Sequence, residues 1–473
     1  MLLQRKLRGL RYISSSWRRS ETELSFVVRD PSSGPLRYTW CSLFNPVCCI
    51  LLNPSSDLIP TSTSNQSKLG SQLAPPLLLA GVFVMCTLTT DKLYAQNFEG
   101  QSFALGETNL IPELRLDYVS TDNAFRDAED TVDATGFVVS PALQWQADRR
   151  LLELSATYRG AYGVFSESEL DFTDHDLRAR VEAAPGIRHR TSAEFRVLQE
   201  AEELGTGQTA FVFDADELVV ETNTTLDLAY AFGAREARGN IGGGLRLGDR
   251  SFNTVGDVTD GDDFTLAGPF GFFSYRLSPD TRLRAEIRFA TLDFDADSRD
   301  RDTTSFIVGA DLAATDRTGG RIRVGVSESQ FDSDAVSDET TLITDISFYY
   351  RPVSFSRFDF IFNRDFETVD EDINGVGESV IDDIRFTWNH DWTGRFSTRL
   401  SLESDGIDRE CPNIDTLTNS ASLEFSVNIR RWISVGAGAG TERRTADACA
   451  EAGDLSDFEY DRTRFGVHLR ATL

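Results

Sequence analysis

Several residue types are scarce in this chain of 473 residues. Methionine occurs only at positions 1 and 85, there are four histidines, and no lysine follows Lys92. Apolar residues make up 40% of the chain, which is low for a protein of this length divided into several packed soluble domains. The sequence also has no Gly-rich phosphate loop, zinc-binding spacing or nucleophile elbow. These absences argue against a multidomain soluble protein, and we expect no enzyme, no cofactor and no resident metal.

Positive charge is sparse after residue 95, where 37 basic residues, all of them arginine, accompany 70 acidic residues. A chain this acidic repels phosphate, so we expect no nucleic-acid partner. Glycine and phenylalanine are abundant instead, with 35 and 33 residues. An acidic, moderately apolar and aromatic-rich composition fits a barrel whose apolar residues contact lipid and whose polar residues line a wet interior.

The N-terminal part contains an apolar run at 73–90, LAPPLLLAGVFVMCTLTT, which follows Lys68. A charged start, an apolar middle and a small-residue exit at Ala95 predict a secretory signal peptide over 68–95. A transmembrane helix is the alternative, which the proline pair and a length below about twenty residues disfavour. We interpret 1–67 as a non-native or disordered extension and expect translation to start near Lys68.

Apolar and polar residues alternate with period two again and again from residue 96 to the end, which is typical of strands with two unlike faces. In one segment, Leu283, Ala285, Ile287 and Phe289 alternate with Arg282, Arg284, Glu286 and Arg288. We count about eighteen such segments, each near the roughly ten residues that a tilted membrane strand needs. Short connections such as Trp392–Gly394 alternate with long ones such as Ser404–Thr418. The sequence therefore predicts an all-β fold over 96–473: a transmembrane up-and-down antiparallel β-barrel of about 18 strands (16–18).

The end of the chain carries a family resemblance. Alternation continues to the last residue, in which Phe465, Val467, Leu469, Ala471 and Leu473 share one face. This segment resembles the C-terminal signal strand of bacterial outer-membrane proteins, although it ends on Leu where Phe or Trp is usual. With its long acidic loops and arginine-rich inner face, the chain resembles the putative β-barrel porin 2 group. The resemblance implies a place in the cell outer membrane of a Gram-negative envelope, in contact with lipid and lipopolysaccharide, and porin-like transport.

Arginines fall on the face of the strands opposite to the apolar residues, which predicts that they line the lumen. The candidate selectivity residues are Arg115, Arg159, Arg178, Arg180, Arg282, Arg284, Arg288, Arg321, Arg323, Arg399 and Arg470. One interpretation is that they guide anionic or sugar-like solutes. The other is that they pair with acids on neighbouring strands and brace the wall, since both signs occur on the same face. The sequence leaves both open.

The long loops are rich in acids, as in Asp293–Asp302 and Asp257–Asp263. One interpretation is that they bind divalent cations loosely and bridge to lipopolysaccharide, and the other is that they serve solubility alone. A third stretch, Asp370–Gly375, resembles the first half of a calcium loop, but Ile381 stands where that loop requires a glutamate, so no calcium site is predicted. Two cysteines, Cys411 and Cys449, follow the signal and fall in neighbouring long loops. An oxidising compartment predicts a disulfide between them.

Three functions remain open at this stage. The first is a channel for the passive diffusion of small polar or charged solutes. The second is a non-conducting barrel with a structural role or an accessory role in surface-polysaccharide export. The third is a hydrolase that uses His175, which lies between Asp174 and Asp176. An inward-folding loop at Glu200–Glu217, with its apolar Phe211-Val212-Phe213, would separate an open pore from a plugged one.

Overall fold

A computed structural model describes part of the chain: residues 102–128, 130–207, 218–252, 259, 261–295, 299–312, 315–333, 337–367, 379–409, 414–448 and 458–472. The predicted signal peptide at 68–95 and the predicted extension at 1–67 lie outside these residues. In the described ranges, no helix has the length and apolar character that crossing a membrane requires.

Strands dominate the described residues, and a short 3-10 helix lies at Ser168–Leu170. The strands are β1 Phe103–Leu105, β2 Thr108–Thr121, β3 Ala134–Arg149, β4 Leu152–Phe165, β5 Phe172–Gly186, β6 His189–Ala201, β7 Val220–Phe232, β8 Gly239–Phe252, β9 Phe264–Ser278, β10 Thr281–Phe294, β11 Arg301–Leu312, β12 Thr318–Phe331, β13 Glu339–Val353, β14 Ser356–Glu367, β15 Ser379–Asp391, β16 Phe396–Arg409, β17 Ile414–Arg430, β18 Ile433–Ala448 and β19 Tyr460–Thr472.

The strands from β2 to β19 form a closed ring. Each pairs antiparallel with its successor, and β19 pairs back with β2 in a register that runs from Arg464 opposite Thr121 to Thr472 opposite Glu113. The short β1 pairs with Thr108–Leu110, at the start of β2. The fold is therefore a closed antiparallel barrel of 18 strands, as the sequence predicts.

The two faces of each strand differ as the alternation predicts. On β10, the apolar Leu283, Ile287 and Phe289 are 41%, 41% and 46% exposed, whereas Glu286 between them is 5% exposed. Large exposed apolar side chains recur on one parity of almost every strand of the ring. In a membrane barrel this parity contacts lipid, and the other parity faces the lumen.

The strands are longer than predicted. From β2 onward they have 12 to 17 residues, against about ten expected from the width of the bilayer. The predicted loop Ser404–Thr418 is wrong, because β16 continues to Arg409 and β17 begins at Ile414. Beyond the membrane both faces of a strand are wet, so alternation fades although the backbone hydrogen bonds continue.

Short and long connections lie at opposite ends of the barrel. Two-residue turns at one end include 150–151, 187–188 and 279–280, whereas the other end has the connections 122–133 and 202–219. In bacterial outer-membrane barrels the short turns face the periplasm. Trp392 at the short-turn end donates a hydrogen bond from Nε1 to Thr398 Oγ1 at 2.8 Å. An aromatic ring with one polar contact is typical of residues at a membrane interface.

Arginine placed on the lipid face should destabilise the barrel more than arginine on the lumen face at the same depth. Leu402, 42% exposed, and Ser401 are adjacent in the middle of β16 on opposite faces. We expect Leu402→Arg to lower the free energy of unfolding by about 2–4 kcal/mol, because a lipid-facing charge loses its hydration.

Ser401→Arg is the matched control, since Ser401 Oγ lies 3.3 Å from Glu403 and a guanidinium there has a carboxylate nearby. Reversible urea unfolding in lipid vesicles measures both variants. Equal losses would contradict the assignment of the two faces.

Candidate functional site

The eleven candidate arginines all lie on strands, on the parity opposite to the exposed apolar side chains. Nine of them form ion pairs within the described residues. The pairs are Arg115–Asp117, Arg159–Asp176, Arg178–Glu194, Arg180–Glu182, Arg284–Glu286, Arg288–Glu286, Arg321–Asp345, Arg323–Asp311 and Arg470–Glu113. Both signs of charge therefore lie side by side along the wall.

Glu286 on β10 shows how closely these charges are packed. Its carboxylate lies 2.6 Å from Arg284 Nη2 and 2.5 Å from Arg288 Nε. The guanidinium of Arg284 also lies 4.0 Å from the ring centroid of Phe272 on β9. Residues two apart on a strand share a face, so one acid bridges the arginines on either side of it.

Other pairs connect neighbouring strands. Arg323 on β12 lies 3.6 Å from Asp311 on β11 and 4.0 Å from Asp345 on β13, and Arg321 lies 3.0 Å from Asp345. Half-exposed pairs of this kind contribute little to stability, because water and salt screen them. Their main effect is to hold each charge at a fixed position on the wall.

Arg282 and Arg399 differ from the other nine candidates, because neither has a carboxylate within ion-pair distance among the described residues. Arg399 Nε donates to Asn389 Oδ1 at 2.9 Å. Arg282 donates to the backbone oxygen of Arg235 at 2.7 Å and to Ser274 Oγ at 3.4 Å. A role of the eleven arginines in solute selectivity stays a prediction.

A second charged site lies at the long-loop end, around Glu203. This residue follows β6, yet its carboxylate accepts hydrogen bonds from Arg462 Nη1 at 2.9 Å and from Arg464 Nη2 at 3.0 Å, both on β19. Arg126, in the connection between β2 and β3, donates to the same carboxylate. Around the ring, β6 and β19 are separated by β2, β3, β4 and β5. The segment 202–207 therefore crosses the inside of the barrel mouth to reach them.

A second carboxylate supports these arginines. Glu442 Oε1 accepts from Arg126 Nε at 2.8 Å and from the Tyr460 hydroxyl at 2.6 Å. The side chains of Arg126 and Arg462 are each 6% exposed, whereas that of Glu203 is 48% exposed. We call Arg126, Glu203, Glu442, Tyr460, Arg462 and Arg464 the Glu203 cluster. It combines two buried guanidinium groups with one carboxylate that is open to lumen water.

The backbone fits this contact closely. Gly205 has φ +74°, and a Cβ there would lie 2.8 Å from Arg126 Cβ and 2.9 Å from the Phe125 oxygen. Arg126 has φ 59°, and no other non-glycine residue among those described has a positive φ. Glu202 N donates to the Val219 oxygen at 2.8 Å and closes the base of the connection. Strain at Arg126 is tolerated because its side chain is held by the Glu203 cluster.

Sequence reasoning proposed an inward-folding loop at Glu200–Glu217 but did not identify Glu203, Arg126 or Arg462 as site residues. The described part up to Gly207 crosses the mouth, and Phe211-Val212-Phe213 lies outside the described residues. The partners of Glu203 are 77 and 259 positions away along the chain. No local pattern carries that information.

Electrostatics keep the Glu203 cluster charged. Burial disfavours the carboxylate form, but Arg126, Arg464 and Arg462 outweigh it and hold the pKa of Glu203 well below its usual range. Burial also disfavours the Arg126 guanidinium, yet Glu203 and Glu442 raise the pKa of Arg126 above its usual value. Both groups therefore stay ionised over the whole range in which carboxylates ordinarily titrate.

The Asp–His pair considered for a hydrolase is not formed. His175 lies on the outer parity of β5, where its Nδ1 is 3.0 Å from the Tyr158 hydroxyl and its ring makes an edge contact with Tyr162. Asp174 and Asp176 point to the other side, because successive side chains alternate. Asp176 is bound there by Arg196 at 2.9 Å. Although His175 stands between two acids in the sequence, the alternation along β5 separates its side chain from both carboxylates and places it against Tyr158 and Tyr162.

Two other features of the sequence lie outside the described residues. One is the predicted disulfide between Cys411 and Cys449, and the other is the acidic stretch Asp370–Gly375, where no calcium site is predicted. In the part of the chain that the structure describes, no group of three or more His, Cys, Asp or Glu side chains is placed to hold a metal ion.

Comparison with known proteins gives one family and several distant structures. The family described as "Putative beta-barrel porin 2" matches residues 98–473. No curated protein matches the chain. Among solved structures, OpdK of Pseudomonas aeruginosa is 10% identical with a TM-score of 0.42, over 77% of this chain and 99% of that one. OpdL of Pseudomonas aeruginosa is 14% identical with a TM-score of 0.41, over 78% and 100%. The FrpB iron transporter of Neisseria meningitidis is 10% identical with a TM-score of 0.40, over 77% and 81%.

Glu203→Gln should release the segment 202–207 from the arginines. A neutral amide loses charge-assisted hydrogen bonds, each of which contributes about 1.5–3 kcal/mol. We expect amide hydrogen exchange of a peptide covering 202–207 to accelerate by at least about tenfold.

Glu236→Gln is the control, because Glu236 pairs with Arg276 at 2.8 Å on a turn at the opposite end of the barrel. Unchanged exchange in Glu203→Gln would show that the carboxylate does not hold the segment.

Acidification should leave this contact intact over a wide range. A carboxylate whose pKa is lowered in the folded protein adds stability above its unfolded pKa and loses it only as the pH falls through the folded value. For Glu203 that loss lies well below the ordinary value of 4.5. Hydrogen exchange of 202–207, corrected for the intrinsic rate, should therefore show equal protection at neutral pH and at the ordinary carboxylate pKa. A loss of protection at that pH would contradict the pairing.

Proposed function

This chain belongs to the family described as Putative beta-barrel porin 2, and we propose that it is an outer-membrane channel through which small polar or charged solutes diffuse passively. Family membership and the closed barrel give the protein a porin-like character and place it in the outer membrane. The diffusion of solutes is the part that we propose.

The observation that carries the proposal is the charged inner wall. A barrel of 16 to 18 strands is wide enough for an aqueous channel. Fixed charges inside it, such as Glu286 between Arg284 and Arg288, require water or ion partners. Because most of these arginines have an acid beside them, neither sign dominates the wall. We therefore expect weak selectivity by charge.

The Glu203 cluster sets the width of the mouth in this proposal. The segment 202–207 crosses the lumen at the long-loop end and is fixed to β19 by Arg462 and Arg464. In this proposal the segment narrows the lumen permanently, because it is bound in place and does not act as a moving gate. The three arginines of the cluster outnumber its two carboxylates, so Glu203 is compensated and does not make the mouth negative.

A non-conducting barrel is the second candidate, and the same segment favours it. The segment 202–207 extends over the lumen and is held there by the buried Arg126 and Arg462, which favours a barrel that does not conduct. Such a barrel would support the envelope or serve surface-polysaccharide export. Conductance separates the two functions.

The test is single-channel recording of the refolded protein in planar bilayers. We expect stable current steps with weak ion selectivity, because paired charges line the wall. Glu203→Gln should increase the step size, since the freed segment no longer narrows the mouth, whereas Glu236→Gln should leave it unchanged. Silence from protein whose folding is verified by its heat-dependent gel mobility would overturn the channel and favour the structural role.

A further inference from the structure

A cavity of about 510 Å³ opens on the lumen side of the barrel wall at the short-turn end. It is lined by residues of β3–β7 and β9–β11 and of the turns that follow β3 and β7. Seven arginines and three carboxylates line it. The lining therefore has an excess of positive charge, whereas the whole chain carries a net charge of −28.

Four of these arginines have no carboxylate within ion-pair distance among the described residues. One is Arg150, in the turn after β3, and the others are Arg190 at the start of β6, Arg235 in the turn after β7 and Arg282 at the start of β10. Arg282 Nη2 donates to the backbone oxygen of Arg235 at 2.7 Å. This bond holds Arg282 against the turn but neutralises neither charge.

Asn240 on β8, 2% exposed, connects Arg190 and Arg282. In one orientation its amide oxygen accepts from Arg190 Nη2 at 3.3 Å. In the reversed orientation the oxygen accepts from Arg282 Nη1 at 2.5 Å, and the nitrogen donates to the Gly233 and Ala234 oxygens, each at 3.0 Å. The reversed amide makes more bonds and leaves Arg190 without its acceptor. Arg190 Nε is buried and has no partner in either case.

The acids nearby do not compensate for this charge. Glu182 is bound to Arg180 at 2.5 Å, and Asp311 lies 3.6 Å from Arg323. Glu236 in the turn is bound to Arg276 at 2.8 Å. Glu153, the third acid of the cavity, lies opposite Glu182 in the register of β4 and β5.

The geometry points to a binding site for a small oxyanion, a phosphate or carboxylate group, between Arg190, Arg235 and Arg282. Arg190 and Arg282 both reach the amide of Asn240, Arg282 also bonds to the backbone of Arg235, and all three residues line the same cavity. Guanidinium groups present two parallel N–H donors that match two oxygens of a phosphate or carboxylate. The cavity volume falls in the usual range for a small-molecule site.

This site goes beyond the proposed diffusion function, because binding does not require that the barrel conducts. Equilibrium binding of inorganic phosphate to the refolded protein in detergent tests it, by isothermal titration calorimetry. We expect saturable binding to one site per chain. Succinate should compete for the same site, whereas chloride at the same concentration should not displace phosphate.

Arg190→Gln and Arg282→Gln should each weaken phosphate binding at least about tenfold, since each removes one of three charged donors. Arg399→Gln is the matched control: Arg399 also faces the lumen near the short turns and also lacks a carboxylate, but it lies on β16 and bonds to Asn389. Either of two results would overturn the proposal: no saturable binding by folded protein, or an equal loss in Arg399→Gln. Failure of conductance with intact phosphate binding would overturn only the channel.

Discussion

Backbone hydrogen bonding is the constraint on which this structure depends. No water is available in the bilayer core, so every N–H and C=O group there must find a partner within the protein. The ring from β2 to β19 meets this requirement because it has no free edge. Once the ring is closed, the side chains have only to match lipid on the outer face and water on the lumen face. This explains why period-two alternation carries so much of the fold.

The lumen side must solve a different problem, because charged groups there share a confined volume of water. Pairing along a strand, as at Glu286, and across strands, as at Arg323, fixes the charges without making the wall strongly positive or negative. The two departures from this pairing lie at opposite ends. At the long-loop end, buried arginines fix an inserted segment through Glu203, and at the short-turn end, Arg190 and Arg282 remain without acids. These two sites, the segment held through Glu203 and the arginines without acids, are the places on the lumen side where a specific function is expected.

The sequence predicts the fold class, the strand number and the parity of the arginines, since each follows from local alternation and connection length. It does not predict the full length of the strands, because alternation fades where both faces are wet. It places His175 beside two acids along the chain, but a strand puts neighbours on opposite sides. The pairing of Glu203 with Arg464 is also invisible in the sequence, because it joins residues 261 positions apart. The local sequence pattern thus predicts the strands of the barrel wall. The position of the segment inside the lumen depends instead on contacts between residues that are far apart in the sequence.

The pairing of β19 with β2 also has a consequence for the order of assembly. Its residues are more than 340 positions apart, as at Asp122 and Thr463, so the seam closes only after the C-terminal strand has been made and inserted. Arg462 and Arg464 belong to that last strand, so two of the three guanidinium groups that bind Glu203 are added only then, whereas Arg126 is made before β6. A chain truncated before Tyr460 would therefore lack both the seam and two of the three arginines that bind Glu203.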